Sequence, residues 1–219
     1  MLEGIRRYYE LTKFDFDRSD DFDPNFLIPL SWVRVFYKTY PRFPSKPLHI
    51  TNLSVNLRKS LEKRETRRDY TGESISFKDL SNLIYWSAGE RRPKEHDEFP
   101  TRMYPSAGAR YPVEIYVISK EIKGIDKGLW HFNVKGNTLE HIWDKDIDDE
   151  INKILGCNIG EHASAIICMT GVISRTEVKY KENAYRFALI EAGHLAQNMY
   201  LISEGLQLGC CSNGGFDNN

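Results

Sequence analysis

From Val55 onward the hydrophobic positions of this chain fall into regular periods. Val55 to Lys63 reads as a helix. Ser76 and Asp79 stand three apart, as in a capping box. Behind them Phe77, Leu80, Leu83, Ile84 and Ala88 line one helical face, and Gly89 suits a C-terminal stop. Val113 to Ser119 is a strand. Gly128 to Val134 and Thr138 to Trp143 flank Lys135-Gly136-Asn137, which predicts a β-hairpin. Ile147 to Leu155 is a short helix and Ser164 to Thr170 a buried strand. Ala184 to Leu206 is a long helix whose Ala188, Ala192, Leu195, Ala196, Met199 and Ile202 share an apolar face. Cys210 to Phe216 forms a strand or turn ending in two glycines. Helices, a hairpin and separated strands together predict an α+β layer fold.

Residues 1–56 follow no such period. They are rich in aromatic, Asp and Pro residues, as in Phe14-Asp15-Phe16-Asp17 and Tyr40-Pro41-Arg42-Phe43-Pro44. Trp32, Phe36, Tyr37 and Tyr40 carry too much apolar surface for a solvated tail. The segment reads as an extension packed by its aromatics onto a domain spanning 57–219. Glu90 to Arg102 is charged and predicts a mobile loop.

Composition narrows the function class. The 219 residues carry a net charge of −1, so no global field draws nucleic acid or an acidic membrane. Cys157, Cys168, Cys210 and Cys211 form neither a disulfide framework nor a zinc ligand set, and are expected as free buried thiols. No apolar run reaches the length of a membrane span. The expectation is a soluble cytoplasmic protein.

Five stretches carry candidate chemistry. In Arg64-Glu65-Thr66-Arg67-Arg68-Asp69-Tyr70, alternate residues Arg64, Thr66, Arg68 and Tyr70 share one side of an extended chain. Two guanidinium forks and a hydroxyl suit a phosphate, the alternative being a solvated basic stretch. In Tyr104-Pro105-Ser106-Ala107-Gly108-Ala109-Arg110-Tyr111-Pro112, prolines bracket small residues. That combination holds main chain close to something flat, or simply makes a rigid turn. Lys179-Tyr180 offers two proton-transfer groups if its surroundings tune them. Glu191 and His194, at i and i+3, share a helix face, but no third ligand accompanies them, so a hydrogen-bonded structural histidine is expected. Gly193 inside that helix predicts close packing by another element. Gly214-Gly215 permits close backbone approach to a ligand, or a plain turn.

The order of these stretches resembles the SagB-type dehydrogenases, a branch of the nitroreductase-like flavoproteins. It runs from Arg64-x-Thr66-x-Arg68-x-Tyr70 through Pro105-Ser106-Ala107-Gly108 and Lys179-Tyr180. It continues with Tyr185-Arg186, Glu191-Ala192-Gly193-His194-x-x-Gln197-Asn198 and Gly214-Gly215-Phe216. The resemblance spans about residues 55–219. It implies a mostly antiparallel sheet flanked by helices, with FMN bound at a homodimer interface. Arg64, Thr66 and Arg68 would grip the FMN phosphate and ribityl chain, with Thr66 replacing the common Ser. Pro105, Ser106, Ala107 and Gly108 would lie along the flavin. Gly214 and Gly215 would bring backbone N–H groups to its N5 and O4 edge.

Family members that act on peptides oxidise thiazolines and oxazolines to thiazoles and oxazoles, with a Lys-Tyr pair removing the proton. That pair maps onto Lys179 and Tyr180, and it implies a peptide substrate with biosynthetic partner proteins. Two alternatives stand beside it. One is a general nitroreductase acting on small nitro compounds or quinones with NAD(P)H. The other is a non-catalytic scaffold that binds a peptide or partner. The family usually continues for some tens of residues past the Gly-Gly-Phe segment, so a fold lacking its C-terminal strand is expected here.

Overall fold

A computed structural model describes residues 34–91, 99–145, 148–155 and 162–215, with positions 4, 7, 8, 10, 29 and 32 before them. Phe14 to Asp17, Ile147, Cys157 and Phe216 lie outside the described residues, as do 92–98 of the charged loop.

Helix α1 (Leu57–Lys63) starts two residues after the expected Val55 because Asn56 caps it, accepting from the Lys59 N–H at 3.0 Å. Helix α2 (Phe77–Ala88) has the predicted box: the Asp79 N–H donates to Ser76 Oγ at 3.1 Å, and the Ser76 hydroxyl donates to Asp79 Oδ2. Leu80 and Ile84 are completely buried, which stabilises the fold by about 2 kcal/mol apiece. Gly89 follows α2 in an extended conformation, φ −65°, rather than the left-handed stop expected.

Five strands form one antiparallel sheet in the order β1 (Ser45–Pro47), β6 (Thr138–Trp143), β5 (Gly128–Asn133), β3 (Val113–Ser119), β7 (Ala165–Gly171). The hairpin stands as predicted, with Asn137 at φ 49° in its turn. β7 corrects an expectation. It lies at the sheet edge among the described residues and is half-buried, because its other side meets no strand. A short parallel pair, β2 (Ile75–Ser76) with β4 (Ile122–Lys123), lies apart.

Helix α3 (Asp148–Leu155) follows the sheet hairpin, and α4 (Ser174–Tyr180) follows β7. Helix α4 was not expected. Its only aliphatic residue, Val178, is half exposed, so no hydrophobic period marks it. Helix α5 (Ala184–Gly205) packs against α1, α2, α4 and β3 and buries Ala188, Leu195 and Met199. No helix among the described residues is long and apolar enough to cross a membrane.

The sheet interior also holds charge. His131, wholly buried, lies 3.1 Å from Glu114 and 2.9 Å from Glu140, and Glu114 pairs with Arg175. Burial works to raise the Glu114 carboxyl, but His131 and Arg175 outweigh it and hold it below the usual carboxylate range. The extended segment 34–40 packs on this network: the Tyr40 N–H donates to Glu140 at 2.9 Å and the Tyr37 hydroxyl donates to Glu90 at 2.5 Å. The described ends of the charged loop are tied down, since Glu90 bridges Arg102 and the Arg91 N–H donates to the Thr101 carbonyl.

Candidate functional site

Pro105 to Pro112 enters β3 through a tight turn over Ala107–Ala109. Gly108, Ala109 and Tyr111 all have positive φ, at 59°, 52° and 49°. A side chain on Gly108 would also crowd its neighbours. Its Cβ would stand 2.9 Å from Tyr180 Oη and 3.1 Å from Lys179 Nζ. The loop and the Lys-Tyr pair, over seventy residues apart in sequence, therefore meet at this glycine. Lys179 and Tyr180 belong to the end of α4, where Lys179 Nζ lies 5.7 Å from the Trp32 ring and 5.4 Å from the Tyr180 ring. Burial raises the Tyr180 phenol, and Arg110 pulls it partly back, so Tyr180 holds its proton at neutral pH. A cleft of about 680 Å³ between residues 36–39 and the start of α4 reaches Val178, which precedes this pair in sequence.

Arg110 went unnoticed in the sequence. It is almost wholly buried, its Nε donates to the Arg175 carbonyl at 2.9 Å, and its guanidinium lies 5.5 Å from the Phe36 ring. Burial lowers its pKa. Arg175 in turn donates to the Tyr111 carbonyl at 2.9 Å, so α4 holds the C-terminal end of the loop through two successive residues.

The second group of predicted residues gathers elsewhere. Arg64 lies 5.5 Å from the Tyr200 ring of α5, and Thr66 Oγ1 is 3.3 Å from Tyr200 Oη. The Ser212 N–H donates to the same Tyr200 oxygen at 2.8 Å, and the Arg67 N–H donates to the Cys210 carbonyl at 3.0 Å. Tyr70 lies beside Cys210 and Cys211, and burial pushes its phenol up to about 12. The Arg64–Tyr70 segment therefore runs alongside the stretch that leads to Gly214. That stretch, expected as a strand or turn, is irregular over its described residues.

The three arginines of this segment divide. Arg67 is spent internally, on Glu65 at 2.9 Å and Glu204 at 3.1 Å. Arg64 and Arg68 pair with no carboxylate among the described residues, and Thr66 and Arg68 are exposed. A Cβ on Gly214 would meet nothing within 4 Å, and one on Gly215 only Asn213. Two unpaired guanidinium groups, a hydroxyl and an open glycine pair suit a phosphate and a flat ring beside it.

Three expectations need correction. No described atom outside α5 comes within 4 Å of a Cβ on Gly193, so the close packing expected there is absent among the described residues. His194 is exposed rather than held in the core, because it points away from the buried face of α5. Glu191 is buried and turned to the loop: the Val113 N–H donates to it at 3.2 Å. The described cysteines, Cys168, Cys210 and Cys211, are free but only half-buried. Asn198, noticed only as part of a motif, donates to the Ser87 and Met103 carbonyls at 3.1 Å each and ties α5 to α2 and the loop entrance.

Residues 61–219 match the model of the nitroreductase family. The chain belongs to the nitroreductase family. Its members are generally FMN-dependent oxidoreductases. A protein of Methanocaldococcus jannaschii assigned as a nitroreductase, MJ1384, is 29% identical over 166 residues, covering 75% of this chain and 81% of that one. The microcin B17-processing protein McbC of Escherichia coli is 26% identical over 115 residues, 49% of this chain and 42% of McbC. Among solved structures, one from Anabaena variabilis described as a nitroreductase superposes with a TM-score of 0.64 at 25% identity, covering 90% of this chain and 38% of that one. The E. coli microcin synthetase McbBCD complex with truncated pro-MccB17 bound gives 0.52 at 18% identity, over 91% of this chain and 72% of that one, and shares the fold. The sheet flanked by helices expected from the sequence is the nitroreductase-like fold.

Proposed function

We propose that this protein is an FMN-dependent oxidoreductase that removes a proton from the α-carbon and a hydride from the adjacent ring carbon of a peptide azoline. The observation that carries this reading is the meeting of Gly108 with Lys179 and Tyr180, because it puts two proton-transfer groups against the loop suited to lie along a flavin. The partial likeness to McbC favours azolines over small nitro compounds or quinones.

Arg64, Thr66 and Arg68 would hold the FMN phosphate and ribityl chain. Pro105, Ser106, Ala107 and Gly108 would form the wall behind the ring, with Gly214 and Gly215 at its N5 and O4 edge. Bound flavin would supply the two-electron acceptor. The chain's own residues do the rest. Lys179 takes the proton from the azoline carbon, Tyr180 orients the ring heteroatom through its retained phenol proton, and Arg110 keeps positive potential beside them. The cleft ending at Val178 admits the peptide.

A homodimer is part of the same proposal. Tyr200 and Glu191 are nine positions apart on α5. At 100° per residue they face opposite sides of the helix, about 14 Å apart along its axis. Arg64 and Thr66 gather at Tyr200, whereas the 105–112 loop gathers at Glu191. The two halves therefore face apart within one chain, and a second copy supplies the missing half of each site.

The test is reconstitution with FMN, an absorption band near 450 nm, and incubation with a thiazoline-bearing peptide. A loss of two mass units supports the reading. Flavin uptake with NAD(P)H-driven reduction of nitroaromatics and no azoline oxidation would establish the general nitroreductase instead. A colourless protein that takes up no FMN would establish the scaffold.

A further inference from the structure

Glu191 has no part in the chemistry above, yet it is 2% exposed and sits at mid-helix behind the 105–112 loop. Its Oε1 accepts from the Val113 N–H at 3.2 Å, at the loop's exit. Ser106, at the loop's entrance, lies near enough to the same carboxyl to pull its pKa down and accepts the Tyr111 N–H at 2.9 Å. The loop between them has positive φ at Gly108, Ala109 and Tyr111, two of which are not glycine, so it does not keep this shape by backbone preference.

We propose that Glu191 is a positioning residue: by holding the Val113 N–H at the loop's exit, beside the Ser106–Tyr111 bond that closes the loop, it fixes Gly108 against Lys179 and Tyr180. The inference rests on the flavin reading for its meaning, but the clamp itself is tested without flavin.

The groups facing Glu191 come from three directions. Arg102 and Tyr104 precede the loop, Tyr111 lies in it, and Arg175 reaches in from α4. Burial nevertheless dominates and pushes the carboxyl up to about 7, against the pull of Ser106, Val113 and both arginines. A carboxyl that keeps its proton better when covered favours the closed loop at low pH. Rising pH ionises it and favours opening, which lets water reach the charge. Gln at this position would mimic the protonated form, and Ala would remove the clamp.

The experiment uses the full chain, without and with FMN. Amide exchange followed by NMR should show the Tyr111 and Val113 N–H groups exchanging about tenfold faster in E191A, with the Thr176 amide of α4 unchanged, and protected in E191Q. FMN affinity should fall about tenfold in E191A. From pH 5.5 to 8 it should fall at least about threefold further in the wild type than in E191Q, since the phosphate's own titration acts on both alike. Unchanged exchange at Tyr111 and Val113 in E191A overturns the clamp. So does acceleration spread evenly over the chain. Wild-type FMN affinity in E191A, or the same pH dependence in wild type and E191Q, overturns the positioning role. If the wild type binds no FMN, the flavin reading falls, and amide exchange alone decides the clamp. Should E191A fail to fold, the pH dependence of amide exchange in E191Q against wild type decides the same question.

Discussion

Two glycines separate what the fold needs from what a ligand needs. Gly108 is required by the chain itself, through its positive φ and the 2.9 Å and 3.1 Å approaches of Tyr180 and Lys179. Gly108→Ala should cost about 1–3 kcal/mol, read as a lower Tm, and should also weaken FMN. Gly214 has empty space around it. Gly214→Ala should leave Tm unchanged and weaken FMN binding, measured by quenching of flavin fluorescence; equal binding would remove Gly214 from the site. Glu191 gives a third outcome. Its folded pKa of about 7 lies above the ordinary 4.5, so the folded state binds the extra proton. Stability is then highest below about pH 4.5 for this group and is lost as pH rises towards 7, by up to about 3 kcal/mol. Thermal melts at pH 5 and 8 should show the wild type losing more than E191Q. At this scale the sequence marked Gly108, Lys179 and Tyr180 as residues of interest. Their meeting was not legible from spacing, because it depends on how β7 and α4 return to the loop. Arg110 stayed hidden, and Glu191 stood out only as a helix neighbour of His194, for a related reason: a buried charge next to apolar neighbours looks like any surface charge until the fold is known.

The long periodic elements were legible and the short ones were not. Helices α2 and α5 and the β5–β6 hairpin each repeat a period over six residues or more, and their boundaries differ from expectation by at most one residue. Strands β2 and β4 are two residues each, and β1 is three, so they exist only because the sheet or a partner pairs with them. The basic segment after α1 is intermediate. Its alternation set Arg64, Thr66 and Arg68 apart from Arg67, and the ion pairs of Arg67 with Glu65 and Glu204 agree with that division. The consequence is measurable. Arg64→Ala or Arg68→Ala should weaken FMN roughly 10- to 100-fold, the worth of one charged hydrogen bond to phosphate, with Tm of the flavin-free protein unchanged. Arg67→Ala should do the reverse, lowering Tm through the loss of Glu204 while FMN affinity holds. The reverse pattern would place the phosphate at Arg67.

Gly193 carries the argument to the whole molecule. The sequence suggests that something packs on it, and nothing among the described residues does. The same side of α5 leaves Tyr185, Leu189 and Ile190 roughly half exposed, and α1, packed along α5, exposes Leu57 and Leu61. A flat glycine within an apolar helix face is what a close helix–helix contact uses, and single chains rarely leave such a face bare. A second copy would cover it and would also join the Arg64 half of one chain to the Gly108 half of the other. Oligomeric state and flavin binding should therefore fail together. Light scattering should give twice the chain mass for the wild type and the monomer mass for Leu189→Arg. Leu189 is exposed, so the fold should survive, with circular dichroism unchanged. Flavin should then leave with the dimer, although none of Arg64, Thr66, Gly108 or Gly214 has been touched. A monomeric Leu189→Arg that keeps its FMN would mean that one chain builds the whole site, and that the opposite-facing halves of α5 are not two parts of one pocket.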